Sequence, residues 1–64
     1  MHDLVGSRKM ENGIVVFWDE NGQRKNESFN YQELIDLKIN AADLFDRPIL
    51  SQVRTGVKRE IKRK

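Results

Sequence analysis

The chain has 64 residues, with 12 Lys and Arg against 10 Asp and Glu, one His and no Cys. This is enough for one small domain, which at such a size buries only about 60% of the surface its unfolded form exposes, and the lack of cysteine excludes disulfides, thiolate metal sites and thiol chemistry. The longest apolar run, Ile14 to Trp18, is far short of the ~20 residues that cross a bilayer, and no secretory pattern opens the chain, so the expectation is an intracellular, cytoplasmic protein without a membrane partner.

Taken in order, Leu4-Val5-Gly6-Ser7-Arg8-Lys9-Met10 has apolar residues at 4, 5 and 10 and reads as a short first strand, with Glu11-Asn12-Gly13 turning into the next. Ile14-Val15-Val16-Phe17-Trp18 is β-branched and aromatic, the composition of a central strand. Ile14, Val16 and Trp18 point to one face and Val15 and Phe17 to the other, so both faces are apolar and both call for cover. Asn21-Gly22 supplies the positive φ angles of a tight hairpin. Gln23 to Phe29 then folds back antiparallel, polar at every position until Phe29, as suits an edge strand. Asn30 begins a helix as its cap, Glu33 completes a capping box, and Phe29 and Leu34 form a hydrophobic staple.

From Tyr31 the apolar positions recur at three-and-four spacing through Leu34, Ile35, Ala41, Ala42 and Phe45. Asn40 and Asp43 repeat the cap spacing, with Ile39 and Leu44 as a second staple, which favours two short helices with a bend. Pro48 ends or opens a helical segment, and Ile49, Leu50 and Val53 make a short apolar helical face. After Thr55-Gly56, the residues Val57, Arg59 and Ile61 alternate with Lys58 and Glu60 as an exposed strand would. The spacing of Ile49, Val53, Val57 and Ile61 fits a continuous helix equally well; Gly56 favours a break, since an interior glycine costs a helix ~1 kcal/mol. The fold expected is α+β: a small three-stranded antiparallel meander packed on one or two short helices, with a basic C-terminal tail. Residues 1–64 form one domain, with 1–3 and 62–64 mobile.

Catalysis needs a base, nucleophile or metal in a constellation. The one histidine, His2, lies at a chain end, and Ser7, Ser28 and Ser51 have no histidine partner from a structured segment. No catalytic residue, metal site, cofactor or small-molecule substrate is indicated. Charge is more informative. Residues 1–52 carry six Lys or Arg against nine Asp or Glu, hence −3, and residues 53–64 carry six against one, hence +5. A basic end is a footprint of nucleic acid or of a solvated terminus. Candidate phosphate contacts are Arg8, Lys9, Arg24, Lys25, Lys58, Arg59, Lys62, Arg63 and Lys64, with Trp18 either core or a stacking group. The alternative partner is a protein, or a second copy of the chain, docked on an apolar face of Ile14, Val16 and Trp18.

Val16 to Phe29, with Gly22 to Lys25 at the turn exit, Phe29 closing the strand, and Ala41-Ala42 with Phe45 further on, resembles the ethylene-response-factor-type DNA-binding domain. Its relatives include phage-integrase arm-binding modules, and the likeness covers about residues 4–46. It implies three strands packed on one amphipathic helix, with the sheet lying in the major groove. The chain is similar, over more of its length, to small bacterial meander-plus-helix domains of unknown function found near toxin–antitoxin genes.

Overall fold

The computed structural model describes residues Met1–Lys64. The elements in chain order are β1 (His2–Lys9), β2 (Gly13–Glu20), β3 (Gln23–Asn30), α1 (Tyr31–Asp36), α2 (Ala41–Asp46), a 3-10 turn at Pro48–Leu50, β4 (Ser51–Arg54) and β5 (Glu60–Arg63). All five strands belong to one antiparallel sheet, ordered β3-β2-β1-β4-β5, which curls into a half-barrel. This corrects the expected three-stranded meander on helices: the domain is mostly sheet, and its two helices have six residues each. The basic tail is part of that sheet. His2 and Asp3 pair with Val53 and Gln52, and Lys62 and Arg63 pair with Gln52 and Ser51.

The extra strands come from the stretch whose period fitted helix and strand alike. Val53 and Ile61 sit opposite each other across β4 and β5 and are both buried, whereas Ile49 and Val57 are exposed. A helix would place all four on one stripe; the pairing puts two inside, and Gly56, at φ 99°, makes the turn between them.

The hairpin joining β2 and β3 follows from its two loop residues. Asn21 and Gly22 have φ of 53° and 78°, the doubly positive signature of a type I′ turn, whose twist matches that of the flanking strands. The register then runs unbroken from Glu20↔Gln23 to Gly13↔Asn30. Gly13 is needed for a different reason. A Cβ there would overlap the Phe29 carbonyl oxygen, so only glycine lets the strands close at that end.

β1 is shared between two partners. Its N-terminal end pairs with β4 and the rest with β2, and the register shifts between Leu4 and Gly6. With Val5 and Gly6 together opposite Phe17, Leu4 and Ser7 both face inward despite their odd separation. This is what a β-bulge does: one extra residue, a local bend and a stronger twist.

Both helices start as their sequences dictate. Asn30 accepts from the Glu33 amide at 2.8 Å while Glu33 accepts from the Asn30 amide at 3.0 Å, a complete capping box. Asn40 accepts from the Asp43 amide at 2.8 Å. The bend between the helices is a Schellman motif: Ile39 donates to the Leu34 carbonyl at 2.8 Å and Lys38 to the Ile35 carbonyl at 3.0 Å. Lys38 occupies the left-handed position at φ 60°, where glycine is usual.

Leu4, Ile14, Val16, Trp18, Phe29, Leu34, Leu44, Val53 and Ile61 form the core. Tyr31, Leu37, Ile39 and Ala41 pack against its margin. Trp18 is 3% exposed, and its indole N–H donates to Glu20 Oε1 at 3.0 Å, so the ring is buried with its one polar atom satisfied. Trp18→Ala is expected to cost about 3–5 kcal/mol, enough to leave much of so small a domain unfolded in urea melts. Lys38→Gly is expected to do the opposite, raising the urea midpoint by the equivalent of up to ~1 kcal/mol through relief of the left-handed strain.

Candidate binding surface on the outer sheet

The two faces of the sheet differ in kind. The inner face carries the core beneath the helices. On the outer face of β1 to β3, Gly6, Phe17 and Asn26 form one cross-strand row, Arg8, Val15 and Ser28 the next, and Asp19 and Arg24 lie toward the turn. Val5 projects beside Gly6 at the bulge and is exposed; Val15 and Phe17 are half-buried. An added Cβ at Gly6 would meet nothing within 4 Å, so one flank of the Phe17 ring borders open space. No helix or strand lies over this face.

Ile14, Val16 and Trp18, expected as an uncovered docking face, are instead 1%, 0% and 3% exposed. They lie in the core with Leu34 and Leu44 of the helices and Val53 and Ile61 of the curled sheet, and the apolar face left to solvent is that of Val15 and Phe17, joined by Val5. The hairpin register contains the reason. Phe29 pairs with Ile14 and so shares its face, and the helix begun by the staple at Phe29 and Leu34 must pack on that side.

The nine candidate cations are not brought together. Arg8 lies on the outer face and makes no ion pair; Arg24 lies there too, held to Asp19 at 2.6 Å. Lys9 is on the inner side, 6.0 Å from the Phe45 ring, and Lys25, opposite Trp18, also faces inward. Lys58 is in the turn between β4 and β5, unpaired. Lys62 is on the outer face of β5, across from Gln52, and is likewise unpaired. Arg63 pairs with Asp43 on α2, and Lys64 with Asp3 at 3.6 Å.

Arg59 has a structural position that its sequence context does not announce. Its guanidinium donates to Glu27 on β3, to the Ser28 carbonyl at 3.0 Å and to Glu33 on α1, and it stacks over Phe29 with 4.4 Å to the ring centroid. The residue expected to meet phosphate therefore joins the β4–β5 hairpin to the opposite edge of the sheet. The Arg59 guanidinium, assisted by the Asn30 amide, holds the Glu33 carboxyl below the usual carboxylate range, and Glu33 raises Arg59 in return.

Other carboxylates of the sheet are similarly engaged. Asp3 is lowered by the Gln52 amide and then by Lys64, and Glu20 by the Trp18 indole N–H and then by His2. Arg54 holds Glu60 at 3.1 Å. His2 stacks on Trp18 at 5.9 Å and approaches Glu20 at 3.3 Å. On the outer face, Asp3, Asp19 and Glu60 are thus all paired, and its unpaired charges, Arg8 and Lys62, are both positive.

A groove of about 460 Å³ lies on the other side, between the sheet and α2, lined by Ile14, Tyr31, Ala41, Ala42 and Phe45 with Lys9 and Asp46 at its rim. No helix is long and apolar enough to cross a membrane. No family model, curated protein or solved structure matches the chain.

The Arg59 contacts give a signed expectation. A carboxyl lowered in the folded state contributes stability that is present above its ordinary value and lost as pH falls through the folded one. Urea melts should show stability falling on acidification below about pH 4.5. Arg59→Met should lower stability at neutral pH by roughly 1–3 kcal/mol and make that acid loss shallower.

Proposed function

We propose that this chain is a small non-enzymatic module that binds nucleic acid, in single-stranded form, through the outer face of β1 to β3. The observation that carries this is the character of that face: a half-buried aromatic ring at its centre, an amide and a hydroxyl beside it at Asn26 and Ser28, and free charges that are positive only. Unpaired bases stack on aromatic side chains presented by a sheet, and flanking cations follow the phosphates. Phe17 supplies the stacking surface, Arg8 the unpaired cation nearest to it, and Arg24 a second cation once phosphate competes with Asp19. In the basic tail Arg54, Arg59, Arg63 and Lys64 have carboxylate partners, so its contribution comes from Lys58 and Lys62.

A second reading rests on Val5 and Val15. Aliphatic side chains flanking an aromatic inside a polar rim also describe the centre of a protein interface, so the same face offers a docking site for a protein.

Fluorescence anisotropy with labelled single-stranded and duplex oligonucleotides at two salt concentrations tests the proposal. Single strands should bind more tightly than duplex. Phe17→Leu, which keeps the packing and removes the π face, should weaken single-strand binding roughly 10-fold. Arg8→Gln should weaken all sequences alike and flatten the salt slope by about 0.7. No binding by the native chain at ~50 mM salt sinks the nucleic-acid reading and leaves the protein partner.

A further inference from the structure

We propose that two copies of this chain pair antiparallel through the outer edge of β3, about a two-fold axis at Asn26. This goes beyond the nucleic-acid reading and does not depend on it.

The phase of the hairpin fixes which backbone groups of β3 are free. In a two-residue type I′ hairpin the residues flanking the turn, here Glu20 and Gln23, exchange hydrogen bonds, and hydrogen-bonded and non-hydrogen-bonded pairs alternate from there. Gln23, Lys25, Glu27 and Phe29 therefore direct their N–H and C=O toward β2, and Arg24, Asn26 and Ser28 direct theirs outward. The Ser28 carbonyl confirms the phase, since it receives Arg59 from the open side. β3 is eight residues long and pairs with β2 without a bulge. Its outer edge is at the limit of the sheet, the kind of edge that templates another strand unless something prevents it.

Charge is the usual preventive, and here its order selects a partner instead. Lys25 and Glu27 lie symmetrically about Asn26. An antiparallel second copy centred there places Lys25 opposite the partner's Glu27 and Glu27 opposite the partner's Lys25, both in non-hydrogen-bonded positions where side chains come closest. Arg24 falls opposite the partner's Ser28, so no like charges face each other between the two strands. Arg59 holds Glu27 through Oε2 alone, which leaves Glu27 Oε1 for the partner's Lys25. Asn26 and the partner's Asn26 exchange the central backbone bonds. Arg59 occupies one lone pair of the Ser28 carbonyl, and a carbonyl oxygen has two.

The pairing has a consequence for the outer face. Phe17, Asn26, the partner's Asn26 and the partner's Phe17 form one row across a continuous ten-stranded sheet. With strands about 4.8 Å apart, the two aromatic rings lie roughly 14 Å from each other on one surface.

Because the chain has no cysteine, single cysteines report the register directly. Residues in a hydrogen-bonded antiparallel pair have Cα atoms about 5.5 Å apart, within the span a disulfide bridges. Asn26→Cys is expected to cross-link to itself under mild oxidation. Arg24→Cys and Ser28→Cys should each fail to do so alone and should cross-link when mixed. The native chain should sediment at high concentration with a mass approaching twice 7.5 kDa. Asn26→Pro should sediment as a monomer, with its fold checked by circular dichroism, because the amide it removes faces away from β2. Should that variant not fold, the cysteine pattern decides. A native monomer at about 1 mM, cross-linking of Asn26→Cys no faster than that of a Gln32→Cys control on α1, or self-linking by Arg24→Cys overturns the proposal.

Discussion

A sheet that curls without closing has two edges, and Arg59 is where this one brings them together. Five strands at this curvature leave β3 at one limit and β5 at the other, with the core between them. The guanidinium spans the gap by itself: a planar fork with several donors can satisfy two carboxylates and a carbonyl at once, and its weakly hydrated face can lie on a ring. It does all of these with Glu27, Glu33, Ser28 and Phe29. Glu33 makes the arrangement cooperative. One of its oxygens accepts the Asn30 amide in the capping box and the other accepts Arg59, so the start of α1 and the seam of the sheet depend on the same carboxylate.

The charge distribution has the same explanation. The −3 body and the +5 end look, on a linear chain, like a module with an appendage for anions. In the folded chain the two are each other's counterions. Glu27, Glu33, Asp43 and Asp3 from the body meet Arg59, Arg63 and Lys64 from the end. Exposed pairs such as Lys64 with Asp3 are individually weak, and their greater effect is on placement: they favour the register in which β5 returns to the acidic surface of α2 and the N-terminal end of β1. What remains free is spread over several sides, with Arg8 and Lys62 on the outer face.

Much of the centre was legible because local chemistry decides it. Asn21-Gly22 specifies its turn, Asn30 with Glu33 and Asn40 with Asp43 specify their caps, and β3 has the polarity of the edge it occupies. The last third was not legible. Val53 and Ile61 are strand residues only by virtue of β1, some fifty positions earlier, and a four-residue spacing carries no information about such a partner. The exposed face was open to inference. The hairpin register puts Phe29 with Ile14, and the staple puts the helix with Phe29, which leaves Val15 and Phe17 outside. The role of Arg59 had no local signal, since nothing in Lys58-Arg59-Glu60 distinguishes a clasp from a solvated cation.

The divided pairing of β1 also sets the order in which the sheet can assemble. Its junction with β2 closes a turn of a few residues, and β2 with β3 closes one of two, so the meander forms from contacts near in sequence. The junction with β4 joins His2 to Val53 and must close a loop holding both helices, at a loop-entropy cost that the short turns do not carry. The bulge at Val5 and Gly6 lies between these two regimes. On its C-terminal side β1 belongs to the fast, local part of the molecule. Ahead of the bulge Leu4 still pairs with Trp18, and the edge that His2 and Asp3 offer to β4 stays unfilled until nearly the whole chain is available to complete it.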